Sequence, residues 1–317
     1  WNYDDAITDL VVWAQAYYPE LAQQLYQETG IDPEFYPTGL YMLDSAEHNK
    51  ALAWAQRTQA DLVNVDIADV YHKAPQLGSG FHQALAMPTV GNIRNPRLLQ
   101  ALIASLKRSP RFRLLPDESV QSIELNGHHL VGVRTAQQVY QADKVLVAAG
   151  AWSPLLVESC HIPLAIEPVR GEMLIFEPCP GLLTTMVLHD GKYLIPRKDG
   201  RIVVGSTTEQ EGYHKITTEA GYRTLLAAAH RLLPRLETMA IEKHWAGLRP
   251  GAPAGLPYMG ESQDISGLFV CAGHYRNGLV TAPASARLMA DLILNRPSVI
   301  AAEPFRLDRP RINAEMF

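Results

Sequence analysis

Two short apolar runs, each ending in glycine, constrain the fold of this chain more than any other feature of its sequence. They are Lys144-Val-Leu-Val-Ala-Ala-Gly150 and Gly267-Leu-Phe-Val-Cys-Ala-Gly273. Runs that are apolar at nearly every position are typical of strands buried on both faces of a parallel sheet. Ligands in such sheets bind beyond the carboxyl ends of the strands. The sequence therefore predicts a ligand site close to Gly150 and Gly273.

The residues between the two runs are predicted to form a separate, antiparallel layer. Its predicted elements are strands at 171–176, 193–196 and 201–206 and a helix at 218–233. A further helix is predicted at 282–294, after the second apolar run. Parallel strands that bracket a mixed insert of this kind indicate an α/β arrangement combined with α+β.

The first part of the chain is predicted to be mainly helical, with one hairpin. Apolar residues three and four positions apart indicate an amphipathic helix over 4–29. Asp44-Ser-Ala-Glu47 resembles a capping box, and Asn95-Pro96 resembles a cap followed by proline, so each predicts a helix start. Asn126-Gly127 lies between two alternating segments, which is a strong hairpin signal.

The composition excludes several classes of protein. With 317 residues, 47% hydrophobic and 19% charged, the chain has the make-up of an ordinary globular protein. Its net charge of −5 argues against a nucleic-acid surface, and no run approaches the ~20 apolar residues of a membrane helix. The three scattered cysteines, Cys160, Cys179 and Cys271, fit a reducing compartment and have no metal-binding spacing. We therefore expect a cytoplasmic protein without a metal site, and no signal peptide is visible from Trp1 onward.

Two arginines stand among glycines near the end of the chain. Arg249 belongs to the segment His244-Trp-Ala-Gly-Leu-Arg-Pro-Gly251, and Arg276 precedes Asn277-Gly278. A guanidinium group binds a carboxylate through two parallel hydrogen bonds, and glycines allow the backbone to approach a ligand closely. The pattern predicts a small anionic substrate held beside a cofactor. For Arg249 alone, a solvated side chain or an ion pair with Glu242 is an equally good interpretation.

Five motifs occur in a fixed order along nearly the whole chain. They are Leu146-Val-Ala-Ala-Gly-Ala-Trp-Ser153, Pro168-Val-Arg-Gly-Glu-Met173, the segment from Tyr193 to Ser206, Trp245-Ala-Gly-Leu-Arg-Pro250 and Ala272-Gly-His-Tyr-Arg-Asn-Gly278. Together they resemble the FAD-dependent amine oxidases of the D-amino-acid oxidase type, and within that family the glycine oxidases of bacterial thiamine biosynthesis. The resemblance implies a Rossmann-like FAD-binding domain and an antiparallel-sheet substrate domain.

The resemblance also implies the roles of three candidate catalytic residues. Arg249 would clamp the substrate carboxylate, and the Tyr193 hydroxyl would donate to the same group. Arg276 would lie near the flavin ring and the substrate entrance. On residue type alone, Tyr193 is a good strand residue whose default role is packing. Gly191 stands where some relatives carry a polar side chain, so we expect it to alter the shape of the pocket.

A second set of residues is placed at FAD by the resemblance alone. These residues are Val120, Ala149, Gly150, Trp152, Gly171, Gly273, His274, Arg276, Asn277, Gly278 and Leu279. The backbone of Val120 would meet the adenine. The backbone amides of Asn277 to Leu279 would point towards the flavin O2 region, where the helix dipole stabilises negative charge. A lone histidine such as His274 is otherwise more often structural than catalytic.

The activity that the resemblance implies is oxidation of glycine, sarcosine or a small D-amino acid. The products would be an imine or 2-oxo acid and hydrogen peroxide, with oxygen as the electron acceptor, in service of thiazole synthesis. A homotetramer is expected from the family. The alternatives are a sarcosine-type oxidase, a D-amino-acid dehydrogenase, or a truncated chain without catalytic activity.

The family pattern begins with a strand, a Gly-x-Gly-x-x-Gly turn and a helix, and that fingerprint does not occur in this sequence. We therefore expect a fold without its N-terminal βαβ start. The predicted FAD-binding domain comprises residues 1–30, 93–164 and 252–317. The predicted substrate domain comprises residues 31–92 and 165–251.

Overall fold

The computed structural model describes residues 3–309, and all statements about the fold refer to them. The helices are α1 (Asp5–Thr29), α2 (His48–Thr58), α3 (Ile67–Lys73), α4 (Asn95–Leu106), α5 (Ser153–Val157), α6 (Glu219–Leu232) and α7 (Gly278–Ile293). The strands are β1 (Leu40–Leu43), β2 (Val63–Val65), β3 (Ala84–Met87), β4 (Val120–Asn126), β5 (His129–Thr135), β6 (Val139–Gln141), β7 (Val145–Val147), β8 (Glu167–Phe176), β9 (Met186–His189), β10 (Lys192–Pro196), β11 (Ile202–Gly205), β12 (Ile241–Gly251), β13 (Tyr258–Glu261) and β14 (Leu268–Ala272). Residues 1–2 and 310–317, which belong to the predicted FAD-binding domain, lie outside the described range.

A large mixed sheet forms the centre of the fold. Its eight strands follow the order β12-β8-β11-β10-β9-β1-β3-β2. All neighbouring pairs are antiparallel except β1 with β9, which run parallel. The antiparallel strands predicted from the sequence are confirmed. All eight strands come from residues 31–92 and 165–251, and the division into two domains stays a prediction.

The helix α6 covers one face of this sheet. Leu225, Ala229 and Leu232 of α6 are fully buried against side chains such as Leu174 and Leu194 of the strands. Because successive strand residues point to opposite faces, the residues next to Leu174 and Leu194 face the other side. That opposite face carries Tyr193 and Arg249 and forms the floor of the candidate site.

A smaller sheet has the order β13-β14-β7, with β14 and β7 parallel as predicted. The expectation of burial on both faces holds for β14, whose Leu268, Phe269 and Val270 are buried. It is wrong for β7, where Leu146 is 43% exposed. The reason is that, among residues 3–309, β7 pairs with β14 alone and forms the edge of the sheet.

Two of the predicted helix starts are wrong in detail. The Asp44 carboxylate does not cap a helix; it accepts hydrogen bonds from the backbone N–H groups of His82 and Gln83, each at 2.8 Å. The helix α2 therefore begins four residues later. Asn95 is already the first residue of α4, and the preceding position makes no side-chain capping bond. The predicted hairpin of β4 and β5 is confirmed, with Gly127 at φ +63° in its turn.

The long helix α1 and the C-terminal helix α7 pack together beside the smaller sheet. Leu10 and Ala14 of α1 and Ala284 and Leu288 of α7 are completely buried in their shared core. The start of α7 is thereby fixed next to the open face of the large sheet. Among residues 3–309, every helix is too short or too polar to cross a membrane.

Candidate active site

A cavity of about 590 Å³ lies where the large sheet meets α1 and the start of α7. One wall consists of side chains from β8, β9 and β10, and another consists of the segment 89–95. The lining residues are Gln15, Tyr18, Phe35, Thr89, Val90, Gly91, Asn92, Ile93, Asn95, Met173, Met186, Tyr193, Ile195, Arg197, Arg276, Leu279 and Val280. Tyr193, Arg276 and Leu279 were predicted as site residues from the sequence. The cavity is therefore the candidate active site.

Tyr193 lies flat across the neighbouring strand. It pairs with Gly205 in the register of β10 and β11. A Cβ atom on residue 205 would stand 2.5 Å from Cζ of Tyr193, closer than atoms can approach. The missing side chain at position 205 is what lets the phenol reach across β11 towards β12.

Arg249 is held by backbone and hydroxyl oxygens at the far side of the same face. Its guanidinium donates to the Thr207 carbonyl oxygen at 3.1 Å and to Ser206 Oγ at 2.6 Å. Gly171 lies beneath it, since a Cβ atom there would stand 2.5 Å from Cζ of Arg249. The alternative ion pair with Glu242 is not formed, because that carboxylate pairs with Arg201 at 2.6 Å.

The three predicted catalytic residues come together in space. Burial lowers the pKa of Arg249, the nearby Tyr193 hydroxyl opposes that shift, and the positive charge of Arg276 adds to it. Arg276 is exposed on the segment before α7 and lines the cavity. The site thus combines two cations and a phenol, an arrangement that binds a carboxylate.

The residues predicted at the cofactor cluster at the ends of two strands. Ala149, Gly150 and Trp152 follow β7, and Gly273 follows β14, so these segments meet because the strands are parallel neighbours. Gly150 has φ +57°, and a Cβ atom there would enter open space. Val120 does not belong to this cluster. It begins β4 in a separate three-stranded sheet, and its side chain is exposed.

Two buried polar groups at these strand ends lack a partner within the described part of the chain. They are Ser153 Oγ and Asn277 Nδ2. Asn277 directly precedes the first residue of α7, and its side chain makes no capping bond. The first backbone N–H groups of a helix are also without helical partners. Unpaired donors and an open glycine turn are features that fit a large polar cofactor such as FAD at this place.

His274 makes its side-chain contact with α7. Its Nε2 lies 3.0 Å from Ser285 Oγ. Burial lowers the pKa of His274 to about 4, so the ring is neutral at physiological pH. The side chain therefore links the segment before α7 to the middle of that helix.

The structure places Gly191 outside the described wall of the cavity, and its effect on the shape of the pocket stays a prediction. This residue occupies the tight turn between β9 and β10 with φ +68°, next to Asp190 at φ +46°. It is not among the residues that line the cavity. Glycine is favoured there because the turn requires a left-handed backbone conformation.

Several lining residues were not identified from the sequence. Tyr18 of α1 reaches the cavity, and its hydroxyl donates to the Leu279 carbonyl oxygen in the first turn of α7. Arg197 lies in the motif from Tyr193 to Ser206, but the resemblance implies no role for it. The alternation of β10 gives a signal for it, because Tyr193, Ile195 and Arg197 are spaced to face one side.

A buried carboxylate lies behind the site, on the α6 side of the sheet. Glu172 is 0% exposed in its side chain and approaches His244 Nε2 at 2.7 Å. It also accepts from Thr218 Oγ1 at 2.7 Å and from the Thr218 backbone N–H at 3.0 Å. These hydrogen bonds outweigh burial and lower the pKa of Glu172. Its partners are 46 and 72 residues away, so sequence spacing could not reveal them.

The fold is that of a flavin-dependent oxidoreductase. A family model described as DAO, FAD dependent oxidoreductase, matches residues 1–292. The chain therefore belongs to this family, whose members use FAD.

Individual relatives agree with this membership. The chain is 44% identical to the glycine oxidase of Pseudomonas putida, over 96% of this chain and 84% of that protein. It is 30% identical to the bifunctional protein ThiO/ThiG of Trichormus variabilis, over 93% of this chain and 45% of that protein. The crystal structure of glycine oxidase from Geobacillus kaustophilus matches with a TM-score of 0.89 and 29% identity, over 95% of this chain and 82% of that one.

Proposed function

We propose that this protein oxidises glycine, or another small amino acid, in an FAD-dependent reaction that consumes oxygen. The observation that carries the proposal is the juxtaposition of Tyr193 and Arg249 over Gly205 and Gly171, at the edge of the cavity. The substrate preference is supported by the relatives named glycine oxidase. Those names support a sarcosine-type oxidase or a D-amino-acid dehydrogenase less well.

The role of Arg249 and Tyr193 is to bind and orient the substrate carboxylate. Arg249 is preset for this because Thr207 and Ser206 fix its guanidinium in one place. Such preorganisation fixes the position of the α-carbon without an ordering cost at the moment of reaction. Arg276 adds positive charge at the same end of the cavity.

The cavity also controls the protonation of the substrate amine. Among the described lining residues there is no carboxylate and no imidazole, whereas Arg197 and Arg276 are cations. Nearby positive charge lowers the pKa of an ammonium group. The amine therefore loses its proton to solvent, and the reactive form is held without a general base from the protein.

Ser153, Asn277 and the first turn of α7 are the groups that would hold FAD, together with the open turn at Gly150. The chemistry that FAD supplies when bound is acceptance of two electrons from the substrate, which oxygen then removes as hydrogen peroxide. The residues of this chain contribute binding, orientation and exclusion of water.

Four further expectations belong to the same proposal. We infer a cytoplasmic location from the scattered cysteines, a homo-oligomer from the family resemblance, and a division into an FAD-binding and a substrate domain with the predicted boundaries. A role in thiazole synthesis for thiamine is supported by the similarity to ThiO/ThiG proteins.

The test is a visible spectrum of the flavin-loaded protein before and after anaerobic addition of glycine. Bleaching by glycine, with hydrogen peroxide released on re-aeration, is the expected result. R249M should retain bound flavin and bleach only at much higher glycine concentration. R201M is the matched control, because Arg201 pairs with Asp199 and Glu242 and is not among the residues that line the cavity. A coloured wild-type protein that glycine and sarcosine do not bleach would refute the proposal.

A further inference from the structure

A network of charged side chains lies at the end of β10 beside the cavity. Its cations are Arg94, Arg97, Arg197, Lys198 and Arg201, and its carboxylates are Asp32, Glu34, Asp199 and Glu242. The ion pairs have N–O distances between 2.6 and 3.2 Å. Five cations face four carboxylates, so the network carries one surplus positive charge.

Arg197 is the cation of this network that has no ion pair. Within residues 3–309, its guanidinium has no carboxylate oxygen within 4.0 Å. Glu34 and Asp199 lie within electrostatic range of it. Each of these two carboxylates is already bound by two other arginines.

The guanidinium of Arg197 uses one nitrogen and leaves one edge open. Its Nη1 donates to Asn92 Oδ1 at 2.9 Å and to the Ile93 carbonyl oxygen at 3.1 Å. Both acceptors are neutral. Its Nε and Nη2 make no hydrogen bond to any residue that the structure describes. That pair of donors is the edge through which arginine binds a carboxylate bidentately, and Arg197 lines the cavity.

The position of Arg197 relative to Tyr193 sets the length of a ligand. Tyr193 and Arg197 are four residues apart along an extended strand, so their Cα atoms are separated by ~13 Å. Tyr193, Ile195 and Arg197 all line the same cavity. The cations Arg276 and Arg197 both line it, and Ile195 and Met186 add apolar surface beside Tyr193 and Arg197.

We propose that Arg197 is a second carboxylate-binding residue, and that the cavity takes amino acids whose side chain or N-substituent ends in a second carboxylate. The inference rests on the proposed function for the first carboxylate, which Arg249 and Tyr193 bind. A distal carboxylate on Arg197 neutralises the surplus charge of the network and completes the hydrogen bonds of a desolvated guanidinium. Burial lowers the pKa of Arg197, which reflects that desolvation.

The experiment measures binding of ligands that cannot be oxidised. Dissociation constants on the flavin-loaded protein are determined by calorimetry for dicarboxylates from succinate to pimelate and for the monomethyl ester of each. An ester keeps the chain length and removes one charge. We expect at least one dicarboxylate of the series to bind about tenfold more tightly than its monoester, or better, because a charge-assisted bidentate pair replaces a neutral contact.

Variants of Arg197 test whether this residue causes the difference in affinity between a dicarboxylate and its monoester. R197M should bring the dicarboxylate and its monoester to equal affinity, whereas R197K should keep part of the difference because the charge remains without the planar fork. K198M is the matched control, since Lys198 is exposed, adjacent in sequence and paired with Asp32. It should leave the ratio of the two affinities unchanged. Flavin content and circular dichroism show whether each variant is folded.

Two results would overturn the proposal. One is equal affinity of every dicarboxylate and its monoester for the wild-type protein, which decides the question even if R197M does not fold. The other is a difference that persists in R197M and R197K but is lost in R276M, which would assign the second carboxylate to Arg276. Glycine bleaching of the wild-type flavin is recorded on the same samples. If glycine does not bleach the flavin, but the wild-type protein still prefers a dicarboxylate over its monoester and this preference depends on Arg197, the proposed function is refuted and this inference is not.

Discussion

The phenol of Tyr193 lies against Gly205, so that a Cβ atom at position 205 would stand 2.5 Å from the Tyr193 Cζ atom. The same relationship holds between Arg249 of β12 and Gly171 of the neighbouring strand β8. Both functional side chains therefore lie flat on the sheet over positions that have no side chain. The sheet itself, through its glycines, determines where the two carboxylate-binding groups stand.

The first prediction concerns these glycines. G205A should displace the Tyr193 ring and raise KM for glycine about tenfold or more, since a hydrogen bond to a charged group contributes about 1.5–3 kcal/mol. G171A should act in the same way through Arg249. The measurement is steady-state formation of hydrogen peroxide as a function of glycine concentration.

The control for both is G247A. Gly247 pairs with Gly171 in the register of β8 and β12, but a Cβ atom there would have nothing within 4 Å. G247A should therefore keep an unfolding midpoint close to that of the wild-type protein, and it is the reference against which the unfolding midpoints of G205A and G171A show that these variants are folded. If G205A and G171A bound glycine as well as the wild-type protein does, the supporting role of the two glycines would be wrong.

The second prediction concerns the buried carboxylate of Glu172. Its pKa in the folded protein is below the ordinary value of 4.5, because Thr218 and His244 bind the charged form. The stabilisation is therefore complete above pH 4.5 and is lost as the pH falls through the folded-state pKa. E172Q should be destabilised at pH 7 by about 1–3 kcal/mol, and its difference from the wild-type protein should shrink below pH 4.

Thermal or urea unfolding between pH 3 and pH 8 checks this. E242Q is the matched control, because Glu242 forms an exposed pair with Arg201, and such pairs contribute about 0–1 kcal/mol. A difference between E172Q and the wild-type protein that stayed constant from pH 7 down to pH 3 would contradict the assigned pKa direction.

Most of the fold could be predicted because local patterns and sheet pairing agree. Alternation and the Asn126-Gly127 turn identified the hairpin, and the apolar runs identified the parallel pair of β7 and β14. The helix start predicted at Asp44 failed because distant backbone groups compete for its carboxylate. Asp44 binds backbone groups at residues 82 and 83 instead of capping the nearby helix, and no local pattern reveals a partner 38 residues away.

The candidate site could be predicted only in part, for a related reason. The motifs identified Tyr193, Arg249 and Arg276, because each lies in a short segment of recognisable sequence. The roles of Gly171 and Gly205 depend on the register between strands, which sequence alone leaves open. The open guanidinium edge of Arg197 could not be predicted, because its lack of an ion pair is visible only when every neighbour of the network is known.

The third prediction concerns His274. Burial lowers its pKa to about 4 from an ordinary value of 6.5. Between these two values the unfolded chain holds a proton on this ring and the folded protein does not, so lowering the pH through this window favours unfolding. The stability of the wild-type protein should therefore fall from pH 7 to pH 5 more steeply than that of H274Q, in which residue 274 cannot titrate.

The unfolding midpoint at each pH is the measurement, and H128Q, at an exposed position, is the control that should follow the wild-type curve. Parallel curves for H274Q and the wild-type protein would show that His274 titrates normally in the folded state.

The fourth prediction concerns Asn277, whose buried Nδ2 has no partner in the described part of the chain. If this amide donates to FAD, N277D should weaken FAD binding about tenfold or more, because the carboxylate cannot donate and repels an anionic group. Folding should not suffer, since aspartate next to the start of α7 interacts favourably with the helix dipole.

The measurement is the Kd of FAD for the flavin-free protein, from quenching of flavin fluorescence. N295D, the same substitution at an exposed position after the other end of α7, should bind FAD like the wild-type protein. An unchanged Kd in N277D would mean that the Asn277 side chain plays no part in holding the cofactor, and that the start of α7 acts through its backbone N–H groups alone.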